Sequence, residues 1–168
     1  MAGSLVQVAT NTVSGAVSAV ALTGINTDDL YMVSFNDVVG ATNNVGIQLQ
    51  LTKSGSAQSD SNYDYSYKLF RTDTSYTNSS AENQTAVSLS NTGTSTSESG
   101  NGIIYLYNFN SSSSYSYFSF QSAFFNASPF LTGAKGQIMH TVASASDGIS
   151  FKASSGNIAS GTFTLYKV

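Results

Sequence analysis

Few side chains in these 168 residues can do acid, base or metal chemistry: one histidine, nine carboxylates and no cysteine. His140 lies in the run QIMHTVA, where its alternation partners Ile138 and Val142 put it on an apolar face. A catalytic or metal-binding histidine needs an acid or a second ligand beside it, and none is near in sequence. We read it as structural. The abundant serines leave a Ser-His-Asp arrangement open, although the chain has no G-x-S-x-G elbow. The stretch DSNYD spaces Asp60, Asn62 and Asp64 like the opening of a calcium loop. That loop requires glycine at its sixth position and glutamate at its twelfth; here stand Tyr65 and Arg71. A polar loop entering a strand is the expectation, and Asp28-Asp29 is read as an Asx turn before another.

No closely spaced carboxylate pair suggests glycoside hydrolysis, and no glycine-rich loop suggests phosphate binding. The four N-x-S/T sequons, at Asn78, Asn83, Asn110 and Asn126, are read as products of the Asn, Ser and Thr content. No enzyme activity, cofactor or metal is expected. What stands out is tyrosine: Tyr63, Tyr65, Tyr67, Tyr105, Tyr107, Tyr115 and Tyr117 are the candidate subunit or partner contacts. Tyrosine supplies rigid amphipathic area for protein interfaces and stacking platforms for sugars. It also has high strand propensity and suits half-buried faces, so core and contact roles both stay open.

The elements that must position these residues are strands. Period-two alternation recurs along the chain, with no convincing helical period. The runs are LYMVSFNDVV, GIQLQLT, YDYSYKLF, TAVSLS, GIIYLYNF, YSYFSFQSAFF, QIMHTVA, GISFKA and GTFTLYKV, with a further strand over residues 12–22. Ile47, Leu49 and Leu51 are expected inward with Gln48 and Gln50 outward. Tyr63, Tyr65, Tyr67 and Leu69 share one side, and Phe118, Phe120 and Phe124 oppose Tyr115 and Tyr117. TAVSLS reads as an edge, and GIIYLYNF, apolar on both faces, as a central or subunit-covered strand. TSYTNSSAENQ, NTGTSTSESGNG and NSSSS read as loops. Near the end, Gly156-Asn157 should supply a positive-φ turn and Gly161 the release into a strand that drops Phe163 and Leu165 into the core. About ten short antiparallel strands in one domain spanning residues 1–168 predict an all-β, jelly-roll-like sandwich. Residues 1–11 are a candidate N-terminal docking strand or arm.

Composition sets limits on partners. Charged residues make up 9% of the chain, against about 25% in an average domain. Ten Tyr and ten Phe nevertheless mark a folded protein with an uncharged polar skin. The net charge is −3, and Lys53, Lys68, Arg71, Lys135, Lys152 and Lys167 are scattered singly. With no basic stripe, nucleic acid is not an expected partner. The N-terminal 25 residues lack a basic region and a sustained apolar run, and are read as mature structure, neither signal peptide nor membrane span.

The closing SSGNIASGTFTLYKV resembles the C-terminal signature of a family of small tailed-phage virion proteins, a Ser-Gly-Asn-Ile turn, a Ser-Gly pair and a Thr/Phe/Thr-Leu-Tyr strand. TGI with DLYMVSFNDVV, GIQLQLTKSG, SNYDYSYKL, GIIYLYNF and GISF are similar to the same family in the same order. The family often ends Leu-Tyr-Gly, where this chain has Leu165-Tyr166-Lys167-Val168. The resemblance implies a structural or adhesive role in the virion, which is assembled in the host cytoplasm, and brings no catalytic residues. The leading expectation is a capsid decoration protein in symmetric copies, such as trimers, bound to other virion proteins including the major capsid protein. The alternative is a tail or fibre component that binds host-surface glycan through an exposed tyrosine cleft. A jelly-roll hydrolase would need two converging carboxylates. No membrane partner is expected.

Overall fold

The computed structural model describes residues 4–125 and 130–168. The Asn126 sequon and Pro129 lie outside the described residues. The described strands are β1 (Val6–Val13), β2 (Ala19–Thr23), β3 (Tyr31–Gly40), β4 (Val45–Lys53), β5 (Ser56–Ala57), β6 (Tyr63–Arg71), β7 (Tyr76–Gln84), β8 (Val87–Thr92), β9 (Gly100–Tyr107), β10 (Ser116–Phe124), β11 (Thr132–His140), β12 (Gly148–Ala153) and β13 (Ile158–Lys167). They form an all-β, antiparallel sandwich. The larger sheet runs β1-β13-β3-β9-β10-β11-β6-β7; the smaller runs β2-β12-β4-β5, with β8 also on β4.

The pairings are nested. β1 pairs β13, β2 pairs β12, β3 pairs β9 and β4 pairs β8, and successive pairs alternate between the sheets. A long hairpin rolled over itself gives this wrapping, which is the jelly roll. Two insertions elaborate it, β5–β7 between β4 and β8, and β10–β11 between β9 and β12. Together β10, β11, β6 and β7 extend the larger sheet beyond β9.

Alternation selects what fills the sandwich. Phe35 and Phe163 from the larger sheet meet Phe151 from the smaller, with ring centroids 6.1 and 4.8 Å from Phe151. Ile47, Leu49, Leu51, Ile104, Leu106 and Leu165 are fully buried around them. Burying each such side chain contributes roughly 1.5–3 kcal/mol. The terminal strand is central: β13 lies between β1 and β3, so Phe163 and Leu165 reach the core as expected. At the end of β13, Lys167 pairs with Asp29, and its ammonium holds the Asp29 carboxyl below the ordinary carboxylate range.

Several expectations need correction. TSYTNSSAENQ is no loop: most of it is β7, an edge strand held by its ladder to β6. Residues 12–22 are not one strand, because the chain leaves the larger sheet after Val13 and enters the smaller at Ala19. Gln50 is buried rather than exposed, its amide donating to the Thr85 carbonyl at 2.8 Å. Gly156 does take positive φ, at 71°, but Gly161, at φ 140°, sits inside β13 at the register shift between the Ser160–Val39 and Thr162–Asn36 pairs. Its role is a bulge, which glycine tolerates where a Cβ would press on Val38. Of residues 1–11, Val6 to Asn11 belong to β1 and pair with β13, while residues 1–3 lie outside the described residues.

Candidate functional site

The extension of the larger sheet presents its outer face without a covering layer of described residues. Antiparallel register lines side chains of alternate residues into rows across it. One row runs Ile103, Gln121, Lys135, Lys68, Asn78 from β9 to β7. The next runs Tyr105, Ser119, Gln137, Ser66, Ser80. A third begins with the cross-strand pair Tyr107 and Tyr117 and continues through Met139 to Asp64.

Side-chain size shapes this face into a hollow. Ile103, Tyr105 and Tyr107 on β9 make one wall and Asn78 on β7 the other, while Ser119 and Ser66 keep the floor low. The groove encloses about 810 Å³. It crosses four inter-strand spacings, roughly 19 Å. Its apolar surfaces are accessible, Ile103 being 38% and Tyr107 41% exposed. The Tyr107 hydroxyl lies 3.3 Å from the Ser119 hydroxyl, which steers the ring over the floor. A smaller hollow of about 360 Å³ shares Ser66 and Gln137 with the first and continues past Tyr117 to Asp64 and Glu82. The Asp64 carboxylate accepts the Asn83 backbone N–H at 2.9 Å.

Charge is distributed unevenly along the groove. Lys135 and Lys68 stand directly opposite each other on neighbouring strands. The Lys68 ammonium is 5.6 Å from the Tyr76 ring centroid, within cation–π range. Among the described residues the ion pairs are Arg71–Asp73 and Lys167–Asp29, so neither groove lysine meets a carboxylate. Asp64 and Glu82 lie outside the groove, on the smaller hollow further along β6 and β7.

The seven tyrosines singled out from sequence separate into three groups. Tyr105, Tyr107 and Tyr117 come together on the outer face. Tyr65 and Tyr67 turn inward, their rings stacked at 5.2 Å and Tyr67 edge-on to Phe120 at 5.8 Å. Tyr63 is 0% exposed, so its expected contact role gives way to a core role. Its hydroxyl accepts the Leu51 N–H at 3.0 Å and donates to the Gln58 carbonyl at 2.9 Å. It thereby ties β6 to β4 across the sandwich, and burial raises its phenol above the ordinary value. Tyr115 is exposed in the turn before β10, away from the groove-lining residues.

The remaining candidates are structural in their surroundings. His140 is 1% exposed, tilted on the Tyr63 ring at 4.9 Å, and neither ring nitrogen makes a well-formed hydrogen bond. Burial holds it below its ordinary value, with Lys53 adding to the effect. The Asp60 carbonyl accepts the Asn62 N–H in the turn into β6, whereas Asp64 projects from the strand face. Among the described residues no three His, Cys, Asp or Glu side chains could jointly hold a metal ion.

No family model and no curated protein matches this chain. The groove's chemistry must therefore speak for itself. Gln121, Gln137, Asn78 and the lysine pair went unnoticed in the sequence as site residues. The alternation of Gln137 with the core residue Ile138 was the available signal for its outward direction.

Proposed function

We propose that the chain is a non-enzymatic virion surface protein, a tail or fibre component that holds a host-surface glycan in the groove of its larger sheet. One observation carries this reading: Tyr105 and Tyr107 gather beside Gln121, Gln137 and Asn78 along an open hollow of about 810 Å³, with Tyr117, the cross-strand neighbour of Tyr107, on the adjoining smaller hollow. A sugar ring has an apolar C–H face and a rim of hydroxyls. Tyrosine rings fit the face, and amide side chains, which both donate and accept, fit the rim. An open groove crossing several strands suits a chain of sugars better than an enclosed pocket would. The virion context rests on the resemblance of the C-terminal stretch.

A second reading, the capsid decoration protein in symmetric copies, is favoured by the other end of the same sheet. β1 pairs only with β13 among the described strands, and Leu5 and Val6 beside its free edge are more than half exposed. A free edge can accept a strand from a capsid protein or a second copy. The test of the first reading is an array of bacterial surface polysaccharides probed with the purified chain, followed by calorimetry on the glycans retained. Tyr105→Ser with Tyr107→Ser should leave the protein folded and weaken binding roughly tenfold or more, equivalent to about 1.4 kcal/mol of lost contact. A folded wild-type chain that retains no polysaccharide overturns the glycan reading. Particle density for the chain repeated over the icosahedral shell would favour the second.

A further inference from the structure

The lysine pair specifies the glycan further. We propose, resting on the glycan reading above, that the groove selects an anionic polysaccharide and seats a carboxylate or phosphate of it between Lys68 and Lys135. The chain has six basic residues in all. Two of them are direct cross-strand neighbours on the groove face, where like charges repel. Arg71 has Asp73 at 3.1 Å and Lys167 has Asp29, while Lys53 and Lys152, without an ion pair among the described residues, stand singly, opposite Ser56 and opposite Gln48 and Ala19. Lys68 and Lys135 have no such partner among the described residues, and the Tyr76 ring holds the Lys68 ammonium near the β7 wall. An anion placed between two ammonium groups relieves their repulsion and gains charge-assisted hydrogen bonds from both.

The adjoining smaller hollow, lined by Asp64 and Glu82, sets how the glycan lies. Asp64 is four residues from Lys68 on β6, so the two charges stand about 13 Å apart along the strand. Asp64 and Glu82 repel an anion and accept hydrogen bonds from sugar hydroxyls. The charged sugar is therefore fixed at the lysine end, with Tyr105 and Tyr107 against its neighbours and hydroxyl-rich units toward Tyr117. Carboxylate and phosphate diester share the chemistry that two ammonium groups recognise.

Three probes separate the possibilities by calorimetry on the intact chain: a hexagalacturonate, its carboxyl-reduced neutral counterpart, and a glycerol-phosphate oligomer. At least one anionic probe should bind roughly tenfold or more tightly than the neutral one, and the advantage should shrink as salt shortens the Debye length from about 14 Å at 0.05 M to about 4 Å at 0.5 M. The double variant Lys68→Gln, Lys135→Gln should abolish the advantage, and Lys152→Gln, on the smaller sheet, should not. Preference for the hexagalacturonate assigns the anion as a carboxylate, and preference for the glycerol-phosphate oligomer as a phosphate. Equal binding of neutral and anionic probes, or an advantage that survives the double variant, overturns the anionic assignment and leaves the glycan reading standing. Failure of these probes together with an empty polysaccharide array overturns both.

Discussion

Tyr63→Phe separates a tyrosine that builds the fold from those that line its groove. The substitution keeps the ring, its tilted contact with His140 and its place in the core, and removes only the hydroxyl. That hydroxyl satisfies the Leu51 N–H and the Gln58 carbonyl, and Leu51 is fully buried. Leaving one buried donor unpaired costs about 1–3 kcal/mol, and losing the half-exposed second bond adds about 0.5–1.5 kcal/mol. The expected loss is therefore about 1.5–4.5 kcal/mol from a total of roughly 5–15. The thermal midpoint should fall by roughly 3–18 °C for a chain of this length. Urea unfolding should show a lower midpoint with an unchanged slope, because the surface exposed on unfolding is the same. Glycan affinity, measured well below the midpoint, should be unchanged. A stability loss under about 1 kcal/mol would refute the claim that this hydroxyl ties β6 to β4.

Three further outcomes follow from individual residues. His140 is held neutral in the fold by burial, so stability is complete above its unfolded value of about 6.5 and declines as pH falls below it; chemical denaturation between pH 7 and 5 should show the decline, flattened in His140→Leu. Gly161→Ala forces a Cβ toward the Val38 backbone at φ 140° and should destabilise by about 1–3 kcal/mol, measured by urea midpoint. Lys135→Gln removes half of a like-charged cross-strand pair and should raise stability by about 0.2–1 kcal/mol at low salt, with the gain disappearing in high salt.

The sequence carried the directions of individual strands well. Ile47, Leu49 and Leu51 on β4, and Phe118, Phe120 and Phe124 on β10, declare their buried face because one side of each strand meets the sandwich interior. Tyr63 shares its alternation phase with Leu69, so its inward direction was also legible, although its burial was not. β7 was hidden because Tyr76 to Gln84 buries almost nothing: an edge strand held by its ladder needs no apolar alternation. The division of residues 12–22 was hidden for the opposite reason. Val13 in one sheet and Val20 and Leu22 in the other are all buried, and only the odd spacing between Val13 and Val20, a change of alternation phase, marks the crossover. The groove depends on register between strands far apart in the chain. Lys68 meets Lys135 only because β6 and β11 pair with one particular alignment. A slip of one residue between β6 and β11 would leave the two lysines on opposite faces. Alternation within either strand carries no information about that alignment.

The central claim is that the outer face of β9, β10, β11, β6 and β7 is where the protein meets its glycan. The most direct measurement is a titration of the isotope-labelled chain, followed by amide NMR shifts, with an oligosaccharide retained from the polysaccharide array. The account predicts saturable shifts concentrated at Ile103 to Tyr107, Tyr117 to Gln121, Lys135 to Gln137 and Ser66 to Lys68. Shifts confined to the free edge of β1, with the groove amides unmoved, would contradict it.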